Sequence, residues 1–139
     1  MKATKAEPPK AETLAIRSGD DVVRVRQRVR ALAVEIGLGL VDQTKIVTAA
    51  SELARNTLDY GGGGHVHAEI VQAGTRRGLR LTFEDQGPGI ADIDQAMTDH
   101  YTSGGGLGLG LGGAKRLSNE FHIASTPGAG TRVTIARWK

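Results

Sequence analysis

The feature that most constrains this chain is a glycine-rich stretch, TSGGGLGLGLGGAKRL, at residues 102–117. Seven of eleven consecutive residues in it are glycine. Glycine loses more conformational freedom on folding than any other residue, so bare backbone must be useful there. Leucines alternate with the glycines at Leu107, Leu109 and Leu111, and a solvated linker has no use for them. The pattern favours a loop whose leucines dock on a core, over a flexible linker.

Three kinds of phosphate-binding loop compete for this stretch. Gly108 and Gly113 have the spacing of a Walker A loop, but Ala114 occupies the position of its lysine. A Walker A loop is therefore excluded. The dinucleotide fingerprint Gly-x-Gly-x-x-Gly fits residues 108–113, but no hydrophobic strand runs directly into them. The third kind is a glycine-rich lid that leads into a helix N-terminus, where free backbone N–H groups hold phosphates. This third kind fits the surrounding sequence best.

Composition predicts one domain and excludes several classes of protein. The 139 residues suffice for a single core. Residues 1–11 have the composition of a disordered tail, and residues 12–139 are expected to form the domain. Cysteine is absent, which excludes disulfides and thiolate chemistry and is typical of a cytoplasmic protein. No apolar run approaches the ~20 residues of a membrane span, so no membrane association is expected.

The charge distribution argues against a nucleic-acid partner. The net charge is +3, but three lysines and one glutamate lie within residues 1–11, so the expected domain is nearly neutral. Few aromatic residues are interleaved with the arginines near residue 26, as base stacking would require. These arginines are therefore interpreted as a solvated helix face.

Hydrophobic periodicity predicts a series of short strands and amphipathic helices. A helix capped by Asp20 or Asp21 is expected to end near Gly37 or Gly39. The other expected helices lie at about 42–60, 93–99 and 112–118, and the expected strands at 12–18, 65–74, 78–86, 120–126 and 130–138. Hairpin-length connections make most of the sheet antiparallel. The predicted fold is an α/β two-layer sandwich with a mostly antiparallel, mixed sheet and helices on one face.

Three further motifs accompany the glycine-rich stretch. SELARN places Glu52 and Asn56 four residues apart on one helix face. EDQGPG places Asp85 at a strand end, followed by Gly87 and Gly89. The last strand begins with a glycine and Thr131. Each motif alone is common, and only their combination in this order is specific.

Together the motifs resemble the GHKL ATP-binding superfamily of histidine kinases, Hsp90-type ATPases, gyrase B and anti-sigma-factor serine kinases. The resemblance covers roughly residues 12–138 and implies the histidine-kinase-like ATP-binding fold. A free-standing domain of this size, without a phospho-acceptor histidine segment, looks like the anti-sigma-factor serine/threonine kinases. Within these, VDQTKIVTAASELARN, EDQGPGI and TSGGGLGLGL look most like the switch kinases of the stressosome pathway.

The resemblance implies two ends of an ATP site. At the adenine end, Asp85 would accept a hydrogen bond from the adenine amino group, and Thr131 would add a hydroxyl. Gly87 and Gly89 would let the base approach the backbone. The tetraglycine at 61–64 and the triglycine at 104–106 hold more glycine than their turns require, which would make the site loose.

At the phosphate end, the resemblance implies that Asn56 binds Mg²⁺ and that Glu52 is the general base. The sequence leaves three roles open for Arg55, which are a phosphate contact, a partner contact and a surface salt bridge. For Lys115 it leaves open whether the side chain contacts a phosphate. The lid over the phosphates would consist of Gly104, Gly105, Gly106, Leu107, Gly108, Leu109 and Gly110.

Two classes of function follow from the resemblance. The first is an ATP-dependent serine/threonine kinase that phosphorylates a STAS-domain anti-sigma-factor antagonist or a stressosome scaffold protein. The alternative is a binding module that sequesters a sigma factor or activates a PP2C-type phosphatase. A metabolic ATPase is a weaker third class, because the small domain leaves little room for a second substrate pocket. The resemblance also allows a homodimer, although no apolar interface stripe indicates one.

Overall fold

A computed structural model describes residues 10–97 and 110–139. Its elements are β1 (Ala11–Ile16), α1 (Gly19–Glu35), α2 (Leu40–Asp59), β2 (Gly64–Ala73), β3 (Arg76–Asp85), α3 (Ile93–Ala96), α4 (Gly110–Arg116), β4 (Glu120–Thr126) and β5 (Gly130–Trp138). This order is the one that the periodicity predicts. β1 begins one residue before the expected domain boundary, and residues 1–9 of the expected tail lie outside the described residues.

The five strands form one sheet in the order β1-β2-β3-β5-β4. Each neighbouring pair of these described strands is antiparallel, so the predicted two-layer sandwich is confirmed, with no parallel pair among them. The register pairs Asp85, the last residue of β3, with Gly64 and Thr131. The EDQGPG motif, the start of the last strand and the tetraglycine therefore meet at this end of the sheet.

The core lies between the sheet and the two long helices. Alternate residues of the central strands face the helices, and α1 and α2 contribute the opposing apolar faces. The largest of these side chains that are fully buried include Leu32, Ile46, Leu53, Leu79, Leu81, Phe83 and Ile135. Arg137 on β5 also binds Asp42 on α2 at 2.7 Å, which ties the last strand to the start of that helix.

The start of α1 corrects one prediction. Ser18, not Asp20 or Asp21, caps the helix, and its side chain accepts a hydrogen bond from the Asp21 backbone N–H. The Asp21 carboxylate instead accepts the backbone N–H of Arg17 and pairs with Arg24. These contacts, the Arg17 bond foremost, hold the pKa of Asp21 below its ordinary value. Asp21 thus acts at the third helical position, where an acidic side chain reaches back over the helix start.

The segments around the glycine-rich stretch differ from prediction at their ends. α4 begins at Gly110, two residues earlier than expected, and Leu111 is 6% exposed. The prediction that this leucine docks on the core is therefore confirmed. Leu107, Leu109 and the predicted lid glycines before Gly110 lie outside the described residues. Among the helices that the structure describes, none is both long and apolar enough to cross a membrane.

Candidate functional site

A cavity of about 310 Å³ opens where the C-terminal end of α2 meets the end of β3. This volume lies at the lower end of the range for small-molecule sites, roughly 300–1,000 Å³. Its walls are mainly apolar and include Leu53, Phe83, Pro88, Ile90, Leu111 and Val133. Its polar lining includes Asn56, Thr57, Asp85, Asp92, Gln95 and Thr131. An apolar slot with a few polar groups is the usual construction of a ligand site.

Asp85 supplies a half-buried carboxylate to the cavity. Its Oδ1 accepts the backbone N–H of Gly87 at 2.9 Å, which holds the side chain in a fixed orientation. No group among residues 10–97 and 110–139 donates a hydrogen bond to the other oxygen, Oδ2. An ionised carboxylate only accepts hydrogen bonds, so Asp85 is suited to a ligand that presents an N–H donor.

Three glycines near Asp85 stand where a side chain would collide with neighbouring atoms of the protein. A Cβ on Gly61 would lie 2.6 Å from Asp85 Oδ2, and one on Gly87 would lie 2.7 Å from the Gly61 Cα. Gly89 has a φ of +77°, and a Cβ there would overlap the backbone of Thr126. The chain can therefore pass close to the base of the cavity only with glycine at these positions.

The expectation that the turn at 61–64 holds more glycine than it requires is wrong. Besides Gly61, Gly64 is required because a Cβ there would overlap the backbone carbonyl of Glu84 on the paired strand. These glycines permit tight packing of α2 against the end of β3. The triglycine at 104–106 lies outside the described residues.

Thr131 is held by a residue that sequence reasoning missed. Its hydroxyl shares a 2.8 Å hydrogen bond with Ser125 Oγ, which also accepts the backbone N–H of Ile90 at 2.7 Å. Ser125 thereby joins β4, β5 and the turn after β3 on one side of the cavity. The alternation of residues along β4 could have indicated this role, because Ser125 lies on the same inward face as Phe121 and Ile123.

Replacement of Ser125 by alanine should weaken this side of the cavity. The Ile90 N–H would lose its acceptor, and an unsatisfied buried donor costs about 1–3 kcal/mol. We expect a lower melting temperature and several-fold weaker binding of the cavity's ligand, measured by thermal unfolding and calorimetry. Ser118→Ala is the control, since Ser118 bonds the Ala114 carbonyl and does not line the cavity. Equal ligand affinity in both variants would contradict this role of Ser125.

Asn56 and Glu52 occupy successive turns of α2 but different environments. Asn56 is half-buried and lines the cavity, while its backbone carbonyl accepts the N–H groups of Tyr60 and Gly61. Glu52 is 4% exposed and does not belong to the cavity lining. The structure thus brings Asn56, Asp85, Gly89 and Thr131 to one cavity. Gly87 does not line the cavity but donates its backbone N–H to Asp85. Glu52 lies one helical turn before Asn56.

The match to known proteins identifies the class. Residues 41–139 match the family described as histidine kinase-, DNA gyrase B-, and HSP90-like ATPase. The matched segment includes α2, the cavity and both closing strands. The chain therefore belongs to this family of ATPases, and the resemblance seen in its motifs is confirmed.

Individual relatives show to which group of these ATPases the chain is similar in sequence. The chain is 48% identical over 118 residues to the serine/threonine-protein kinase RsbT of Bacillus subtilis (strain 168), which covers 85% of this chain and 89% of RsbT. It is 28% identical over 137 residues to the anti-sigma F factor of Clostridium novyi (strain NT), over 92% of each chain. The chain thus groups with the serine/threonine kinases and anti-sigma factors of partner-switching systems, as the motifs predicted.

Solved structures share the fold. The RsbU and RsbW domains of Rv1364c from Mycobacterium tuberculosis match 94% of this chain and 32% of that chain, with a TM-score of 0.63 and 24% identity. The mycobacterial sensor histidine kinase MprB matches 92% of this chain and 97% of that chain, with a TM-score of 0.53 and 21% identity. Both similarities concern the fold alone.

The cavity fits the adenine ring that this ATPase family implies. Its apolar walls suit a flat aromatic base, and the Asp85 carboxylate offers an acceptor to an exocyclic amino group. Glycine at position 61 keeps the place beside Asp85 Oδ2 free of a side chain. The residues present are therefore suited to an adenine nucleotide.

Proposed function

We propose that this chain transfers the γ-phosphoryl group of ATP to a serine or threonine of a STAS-domain protein. The observation that carries the proposal is the cavity in which Asn56, Asp85 and Thr131 converge at the end of α2. The 48% identity to a serine/threonine-protein kinase supports the reaction type. The STAS-domain acceptor, an anti-sigma-factor antagonist or a stressosome scaffold, follows from the resemblance of the motifs to switch kinases.

The adenine end of the proposed site is at the C-terminal end of α2. Asp85 accepts a hydrogen bond from the adenine amino group, and the Thr131 hydroxyl, oriented by Ser125, contacts the base from β5. Glycine at positions 87 and 89 lets the chain pass close to Gly61 and to Thr126 beside this end of the site. Since Asn56 and Glu52 lie progressively earlier on α2, the phosphates extend back along that helix.

The phosphate end requires Mg²⁺, which supplies charge neutralisation when it is bound with ATP. Mg²⁺ prefers oxygen ligands and commonly takes one or two from the protein and others from phosphates and water. The Asn56 amide oxygen suits this role. No cluster of three or more histidine, aspartate or glutamate side chains that could hold a metal ion occurs within the described ranges.

Glu52 is proposed as the general base. Its carboxylate takes the proton of the acceptor hydroxyl while that oxygen bonds to the γ-phosphorus and ADP leaves. Gly110 and the preceding residues from Gly104 are proposed to cover the phosphates with their backbone N–H groups.

The test is a transfer assay with the whole chain, Mg²⁺, γ-labelled ATP and a purified STAS-domain protein. The proposal predicts label on a serine or threonine of that protein, and none when EDTA removes the metal. Absence of label with several STAS-domain proteins, at saturating ATP, would overturn it.

The anti-sigma F factor relatives support a second candidate function, which is binding of a sigma factor. The resemblance of the motifs to switch kinases adds activation of a PP2C-type phosphatase to this candidate. Kinase and binding roles need not exclude each other. A pull-down of such partners with Asn56→Ala separates them, because a purely binding role would survive loss of the metal ligand.

A further inference from the structure

The described lining of the cavity, which is proposed to hold the adenine ring, offers no side-chain cation to the phosphates. Within the described residues its lining contains two carboxylates, Asp85 and Asp92, and no lysine or arginine. The sequence of residues 98–109 also contains no lysine or arginine. Catalysis of phosphoryl transfer depends on neutralising charge that develops on the transferred group. A side-chain cation that assists Mg²⁺ in this reaction would therefore have to come from a residue outside the lining.

Four cations lie on the helices that carry the site. Lys45 and Arg55 are on α2, and Lys115 and Arg116 are on α4. Arg116 is engaged in another interaction. Within residues 10–97 and 110–139, Lys45, Arg55 and Lys115 make no hydrogen bond or ion pair. Lys115 is exposed, whereas Lys45 and Arg55 are half-buried. Lys45 lies two helical turns before Glu52, about 10 Å along the helix axis, whereas Arg55 lies within one turn of both Glu52 and Asn56.

The situation of Arg55 contrasts with that of other half-buried arginines in this chain. Arg28 pairs with Glu12 through two hydrogen bonds, and Arg137 pairs with Asp42. Arg55 has no such partner in the described part of the chain, and Asp59, one helical turn later, does not pair with it. Partial burial of an arginine side chain without a counter-ion is unfavourable to the extent that it takes the guanidinium out of water. An anion that binds beside it would offset this cost.

The position of Arg55 on α2 directs it to the phosphate end. It directly precedes Asn56 and follows Glu52 by three residues, so its side chain neighbours that of Glu52 on the helix surface. Helical Cα–Cβ bonds tilt toward the N-terminus, which carries the Arg55 side chain toward the turn of Glu52 and away from Asp85.

We infer that Arg55 is a further catalytic residue, whose guanidinium contacts the γ-phosphoryl oxygens as the group moves from ATP to the acceptor hydroxyl. This inference rests on the proposed kinase function. The planar guanidinium matches two phosphoryl oxygens at once, which a lysine ammonium cannot do. Arginines that act in this way contribute about 10³–10⁵-fold to the turnover of other phosphoryl-transfer enzymes.

The test measures transfer to the STAS-domain protein and binding of Mg²⁺-ATP for Arg55→Ala, Arg55→Lys and Lys115→Ala. Arg30→Ala is the control, because Arg30 is an exposed arginine on α1, away from the cavity. We expect Arg55→Ala to lower kcat by about 10³-fold, with ATP affinity within a few-fold of wild type. Arg55→Lys should recover part of kcat, and added guanidinium should partly restore Arg55→Ala. Lys115→Ala and Arg30→Ala should transfer at the normal rate.

Three results would overturn the inference. The first is a normal kcat for Arg55→Ala. The second is an Arg55→Ala defect confined to the KM of the protein substrate. The third is a loss of transfer rate in Lys115→Ala but not in Arg55→Ala. Thermal unfolding of each variant identifies a folding defect, and guanidinium rescue then decides the role of Arg55, because a misfolded variant would not respond. Wild-type protein that transfers no phosphate refutes the proposed function and this inference together. Transfer by wild type with an unaffected Arg55→Ala refutes only the inference.

Discussion

Glu52→Gln should lower the rate of phosphate transfer by about 10²–10⁴-fold and leave Mg²⁺-ATP binding nearly unchanged. Glutamine keeps the size and shape of the side chain, so the buried position on α2 stays filled. It removes the carboxylate that accepts the proton of the attacking hydroxyl. The residues proposed to bind adenine and Mg²⁺ are unaltered, so affinity for the nucleotide should persist.

Single-turnover transfer and calorimetry measure these two effects separately. Asp59→Asn is the matched control, since Asp59 is an exposed carboxylate on the same helix. A Glu52→Gln variant that transfers phosphate at the wild-type rate would exclude Glu52 as the base. A variant that also fails to bind ATP would indicate a structural role instead.

Gly61→Ala should weaken ATP binding by about 10- to 100-fold. The added methyl group would overlap the Asp85 carboxylate, which must then move from its position against Gly87. A hydrogen bond to a charged group contributes about 1.5–3 kcal/mol, and its loss at the adenine amino group accounts for the expected decrease.

The neighbouring glycine provides a demanding control for Gly61→Ala. Gly62 has a φ of +74°, but no described atom would lie within 4 Å of a Cβ there. Gly62→Ala should therefore lose about 1–2 kcal/mol of stability through backbone strain without loss of ATP affinity. Calorimetry and thermal unfolding of both variants distinguish the effects. Equal ATP affinity in the two variants would refute the close contact between Gly61 and Asp85 as the cause.

The order of elements was predictable because each long element carries a strong pattern. α2 has apolar residues at helical spacing over 20 residues, and β3 alternates Leu79, Leu81 and Phe83. The ends were less predictable because they depend on single hydrogen bonds. Ser18 caps α1 through one bond to the Asp21 N–H, and nothing in the local sequence ranks it above the two aspartates that follow.

The site was partly predictable for a related reason. Asn56, Asp85 and Thr131 stand in motifs, and their convergence could be inferred from the resemblance to known ATPases. The need for Gly61 and Gly64 depends on which atoms lie opposite them, the Asp85 side chain for Gly61 and the Glu84 carbonyl for Gly64, and the Gly64 contact follows from the pairing of β2 with β3. Ser125 acts through a contact between β4 and the turn after β3, residues that are 35 positions apart. Spacing along the chain does not reveal such contacts.

The central claim is that the cavity at Asp85 binds ATP, and calorimetric titration of Mg²⁺-ATP into wild type and Asp85→Asn tests it most directly. Asparagine can still accept the Gly87 N–H, but its amide nitrogen would then present a donor to the adenine amino group, which is also a donor. We predict saturable binding by wild type and its loss, at least about 100-fold, in the variant. Equal binding by both proteins, or none by wild type at millimolar ATP, would contradict the assignment of this cavity.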